Sequence, residues 1–104
     1  MSPPENCDSL GEVRAAIDAI DAEVIRLLGR RAGFVKAAAR FKTSEADVAA
    51  PGRFSAMLQA RREWAEREGL SADVIEKVYR DLVNYFIACE KEHWQAKSPP
   101  TPLP

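Results

Sequence analysis

A chain of 104 residues has room for one domain with a modest core. With 46% hydrophobic and 30% charged residues it has an ordinary globular composition, which excludes global disorder; a net charge of −1 and a pI near 5.8 exclude overall attraction to nucleic acid. No apolar run approaches the roughly 18 residues of a bilayer span, and the start "MSPPENCDSL" lacks the regions of a secretory signal.

Residues 1–8 read as an N-terminal tail. Ser9 followed by Glu12 has the spacing of a capping box just before the first apolar-periodic run. From there Leu10, Val13, Ile17, Ile20, Val24, Leu27, Arg31, Phe34, Ala38 and Phe41 step by alternating threes and fours. This spacing predicts one helix with a heptad-like seam, about 48 Å long at the standard rise. Gly29 and Gly33 lower helix propensity without breaking the register.

"TSEADVAAPGR", residues 43–53, loses the period and reads as a loop, with Pro51 near the first turn of a second helix. That helix carries Phe54, Met57, Leu58, Arg61, Trp64 and Ala65, and Gly69-Leu70 reads as its stop. Ser71 caps a third helix, with Asp73 favouring the dipole of its first turn. The third helix has one apolar stripe of Val74, Val78, Leu82, Tyr85 and Cys89, and a neighbouring one of Tyr79, Val83, Phe86, Glu90 and Trp94. Residues 9–97 thus form a single helical domain, and "SPPTPLP", 98–104, is expected to be a disordered Pro-rich tail. The fold class is all-α. One long helix beside two shorter ones leaves half of its seam uncovered, and an intertwined homodimer with the long helices paired would solve that burial problem. Cys7 and Cys89 make neither a metal spacing nor a disulfide framework, so two reduced thiols in a cytoplasmic protein are expected.

The first helix concentrates charge: residues 26–42 hold six cations and no acid. The turn of about 100° per residue sorts them. Arg26, Arg30 and Arg40 fall within about 40° of one line outside the seam and read as a solvated face. Arg31 occupies a seam position between Leu27 and Phe34, where an unpartnered guanidinium would cost several kcal/mol. Its anion is either a carboxylate of another helix or a ligand. Lys42, eleven residues on, returns to within about 20° of the same face as Arg31, roughly 16 Å along the axis, and the two could grip one small polyanion. Arg14, about 25 Å from Arg31, points to a different side. It either pairs with Asp18 or reaches the Arg31 of an antiparallel partner chain.

Glu90 sits among Val83, Phe86, Ile87 and Trp94. Apolar surroundings favour the neutral carboxyl, which could donate a hydrogen bond; a salt bridge to a buried cation is the alternative. The only histidine is His93, so no Ser/His or Cys/His nucleophilic pair with a second orienting histidine can be drawn. "EKEH", 90–93, has Glu-x-x-His spacing, but a di-iron bundle needs two copies. No phosphate-cradling Gly-rich loop is present. A cationic helical pocket of this kind suits reactions that need binding, conformational restriction and electrostatic stabilisation.

"EVRAAIDAIDAEVIRLLGRRAGFVKAAARFK" resembles the first helix of the AroQ-type chorismate mutases. Within that family, "ENC", "LGRR", "VKAAARFK", "SEA", "APGR", "AML", "WAE" and "GL" across residues 5–95 are most similar to the isochorismate pyruvate lyase branch, which makes salicylate for siderophores. The resemblance implies three helices per chain, an intertwined homodimer, no cofactor, and cleavage of isochorismate to salicylate and pyruvate. The alternative it implies is rearrangement of chorismate to prephenate. It also implies that Arg14, from the neighbouring subunit, and Arg31, from its own, face substrate carboxylates. Lys42 would lie near the ether oxygen and a carboxylate, Arg53 would be a further arginine of the site, and Glu90 would donate to the ether oxygen.

Two positions depart from the family pattern. Mutases usually follow the loop arginine with a Glu that binds the hydroxyl of chorismate, whereas Phe54 follows Arg53 here and favours the lyase branch. Glu90 stands where the lyase and many mutases carry Gln, and it replaces the amide only when protonated. A nucleic-acid-binding module using Arg26, Arg30 and Arg40 is the rival from another class. The acidic pI weighs against it.

Overall fold

In the computed structural model, residues 3–44, 47 and 50–97 are described, with 93–97 described by their backbone alone. The expected tail at 98–104 lies outside the described residues, as do 45, 46, 48 and 49 of the expected loop. Three α-helices are found among the described residues, α1 (Leu10–Ala39), α2 (Pro51–Arg67) and α3 (Ala72–Lys97), and no strand. None of them is long and apolar enough to cross a membrane. The chain divides into two compact units, residues 1–34 and 35–104.

The first unit opens with a short 3-10 turn, Pro4–Asn6, inside the segment expected to be a tail. Ser9 caps α1, its Oγ accepting the Glu12 N–H at 3.1 Å. The Glu12 carboxylate reaches back to the Asp8 N–H at 2.7 Å, one residue earlier than the usual capping box. Beyond the cap the seam side chains stand open: Ile17 is 51% exposed, Val24 46% and Phe34 71%.

The second unit takes in the end of α1. The helix stops at Ala39, short of the expected Phe41. Arg40, Phe41 and Lys42 each donate to the carbonyl three residues back, so the last turn tightens from α to 3-10 spacing. The step of about 100° per residue therefore ends before Lys42, which removes the helical basis for the expected alignment of Lys42 with Arg31.

α2 begins at Pro51, whose missing N–H costs nothing in a first turn. Ala50 precedes it at φ 38°, in the left-handed region that L-residues enter at a cost of about 1–2 kcal/mol. Gly69 ends α2 with φ 73°. The Leu70 N–H returns to the Ala65 carbonyl at 2.8 Å and the Gly69 N–H to that of Glu66 at 3.1 Å, which is a Schellman stop. Ser71 then caps α3 by accepting the Val74 N–H at 3.2 Å. This short connection folds α3 back on α2. Arg62 of α2 spans the pair, 2.9 Å from the Asp73 carboxylate and 3.5 Å from that of Glu76.

Met57, Leu58 and Val83 form the centre of the α2–α3 core, with Phe54, Tyr79 and Ile87 packed against it. Of the two apolar stripes on α3, the one through Val83 and Phe86 is buried, whereas Val74, Val78 and Tyr85 of the other are exposed.

Candidate active site

One charged side chain joins the buried stripe of α3. Glu90 follows Val83 and Phe86 at helical spacing and is itself buried. Its Oε1 lies 3.6 Å from the Lys42 ammonium, and the two side chains are 7% and 24% exposed. At that distance the contact is a Coulombic pair rather than a hydrogen bond. A carboxylate shielded this far from water would cost several kcal/mol without the cation, so each group justifies the placement of the other.

The tightened turn after α1 delivers Lys42 to this position. Its Nζ also donates to the Asp47 carbonyl at 3.0 Å. Asp47 is in turn tied down by its neighbours. Its Oδ2 accepts the Thr43 N–H at 3.1 Å and the Thr43 hydroxyl at 2.5 Å, while its own N–H donates to Ser44 Oγ at 3.1 Å. The Thr43 hydroxyl, followed by the Thr43 N–H, holds the Asp47 carboxyl below its ordinary range, and the charge of Lys42 adds a smaller pull in the same direction.

Arg53 lies on the first turn of α2 and is exposed. Next to it, Phe54 and Leu58 of α2 face Arg80, Asn84 and Ile87 of α3 across an open groove of about 480 Å³. The Arg80 guanidinium sits 5.9 Å from the centre of the Phe54 ring. The groove thus mixes apolar side chains with two cations, Arg80 and Lys91.

Arg14 and Arg31 belong to the first unit, both on α1, with Arg14 exposed and Arg31 half-buried. The outer arginines of the basic segment are exposed. Arg26 pairs with Glu23 one turn earlier, and the Arg40 Nε donates to the Ala37 carbonyl at 3.4 Å. These are the local partners of a solvated face.

Of the five residues singled out in the sequence, Lys42 and Glu90 are brought together. The Asp47 network around Lys42 was missed. Ser44-x-x-Asp47 has the spacing of a capped turn, a legible signal inside a segment read only as a loop. Chemically, an ammonium held beside a shielded carboxyl can bind an anionic ligand and stabilise charge growing on one of its oxygens.

The family model for chorismate mutase type II matches residues 13–91. The chain is 44% identical over 95 residues to the isochorismate pyruvate lyase of Pseudomonas aeruginosa, covering 91% of this chain and 94% of that protein. It is also 38% identical over 86 residues to the T-protein of Haemophilus influenzae, covering 82% of this chain but only 23% of that protein.

Proposed function

We propose that this chain, which belongs to the chorismate mutase type II family, cleaves isochorismate to salicylate and pyruvate. The observation that carries this reading is the similarity across nearly the whole length of the Pseudomonas lyase. In the reaction the bond between the ring and the ether oxygen breaks. A ring hydrogen passes to the methylene carbon of the enolpyruvyl group, which leaves as pyruvate while the ring becomes aromatic. No covalent intermediate is needed, so the enzyme's contribution is to hold the side chain over the ring and stabilise charge on the departing oxygen.

Lys42 supplies that charge in this reading, and Arg31 and Arg53 bind the carboxylates. Phe54 packs against the Met57–Leu58–Val83 cluster and offers no hydrogen bond to a ring hydroxyl, which favours the lyase over the mutase. Rearrangement of chorismate to prephenate in the same site is the second reading, supported by the family match, and a weaker mutase activity fits the same pocket. Supplying each substrate separately decides between them. Salicylate and pyruvate from isochorismate are the expected products, and a dominant kcat/KM on chorismate would reverse the assignment.

We further infer a homodimer in which the α1 seams pair and Arg14 enters the neighbouring subunit's site. The support is the open seam from Val13 to Phe34, where each covered side chain would return on the order of 1 kcal/mol. The unpaired thiols of Cys7 and Cys89 support a cytoplasmic location.

Glu90 pairs with Lys42, but it can donate to the ether oxygen only as the neutral acid. Glu90→Gln supplies an amide donor at the same place, so it is expected to keep or raise kcat/KM on isochorismate, whereas Glu90→Ala should lower it. A Glu90→Gln variant as crippled as Glu90→Ala would sink this role.

A further inference from the structure

We propose that Asp47 is the positioning residue for Lys42: its tethered turn presents a carbonyl that fixes the lysine ammonium beside Glu90. The proposal rests on the reading of Lys42 as a substrate-facing group. A lysine ammonium on a four-carbon stem has three rotatable donors and little intrinsic preference for one position. Among the described residues, two acceptors near Lys42 help define one: the Asp47 carbonyl at 3.0 Å and the Glu90 carboxylate at 3.6 Å. The Glu90 oxygen is carried by a buried helix stripe. The Asp47 carbonyl belongs to a helical residue beyond the end of α1, and something must hold it there.

Three hydrogen bonds independent of the lysine do so. Two from Thr43 converge on Oδ2, and the Asp47 N–H returns to Ser44. Together they tie Asp47 back to Thr43 and Ser44, with the Asp47 carbonyl accepting from the ammonium. Substrate arriving at Lys42 then meets a donor already placed, instead of ordering a long side chain at its own expense. The carboxyl is held below its ordinary range, so the tether is intact throughout neutral pH and is lost only as pH falls through that lowered value. Asp47 therefore adds no pH dependence of its own near neutrality.

The test is kcat/KM on isochorismate for Asp47→Ala, Asp47→Asn and Thr43→Val, each also in a Lys42→Ala background, with thermal midpoints recorded alongside. Asp47→Ala should lose about tenfold, the scale of one or two well-placed hydrogen bonds. Thr43→Val, which keeps the backbone donor, should lose about two- to fivefold. Asp47→Asn keeps an oxygen that accepts from both Thr43 donors and should retain most activity. In the Lys42→Ala background Asp47→Ala should have no further effect, since the residue acts through the lysine. An Asp47→Ala loss that persists without Lys42 overturns the proposal, as does a wild-type rate in both Asp47→Ala and Thr43→Val when Lys42→Ala is crippled. A harmless Lys42→Ala instead defeats the reading of the site itself, and this proposal falls with it.

Discussion

Lys42→Ala is expected to lower kcat/KM on isochorismate by about 10²–10³-fold, with most of the loss in kcat. In the proposed reaction the ammonium would meet the negative charge growing on the departing oxygen, and it is largely shielded from water, where such a charge acts most strongly. The same substitution strands the Glu90 carboxylate in a buried position, so the thermal midpoint should fall as well. The double variant Lys42→Met, Glu90→Gln separates the two effects: stability should return while activity does not. Continuous measurement of salicylate formation reads the rate. A loss under about fivefold, the scale of an ordinary exposed ion pair, would remove Lys42 from the mechanism.

Arg31→Ala is expected to cost about a hundredfold in kcat/KM, mainly through KM, because in the proposed site it would remove a charged partner of a substrate carboxylate. Arg26→Gln and Arg30→Gln are the internal comparison. Both residues are exposed, and Arg26 already has Glu23 as a local partner, so each change should stay within about twofold. A nucleic-acid-binding module predicts the reverse ranking. If Arg14 serves the neighbouring subunit, mixing Arg14→Ala chains with Arg31→Ala chains should restore activity neither has alone, since a mixed dimer holds one complete site. Failure to complement, with both single variants inactive and dimeric, would place the two arginines in sites of the same chain.

Punctuation was the most legible part of this sequence. Ser9, Pro51, Gly69 and Ser71 each mark a helix end through a local bond or a local φ, and such effects act within a few residues. The end of α1 was not legible in the same way. Phe41 continues the apolar step that precedes it, and the tightened turn through Lys42 leaves no trace in periodicity. The two stripes of α3 were both visible, but periodicity alone does not say which one faces α2. That choice depends on Met57 and Leu58 meeting Val83, a contact between helices. Glu90 stood out as an acid in apolar company, and its two readings, neutral donor or buried ion pair, differ only in what lies opposite. The pair with Lys42 comes from a segment about fifty residues away, which no local pattern encodes.

The four-residue connection between α2 and α3 also bears on how quickly this chain finds its structure. Phe54, Met57, Leu58, Tyr79, Val83 and Ile87 all lie between positions 54 and 87, so their cluster closes over a short stretch of chain. Loop-closure entropy is modest over such spans, and contacts of this kind form early. The α2–α3 hairpin is therefore expected to be organised already in the transition state for folding. Leu58→Ala should slow refolding more than it speeds unfolding in stopped-flow denaturant jumps. A chevron in which only the unfolding limb moves would place the nucleus elsewhere. On this view the segment bearing Glu90 is in place early, before the lysine that will face it needs to arrive.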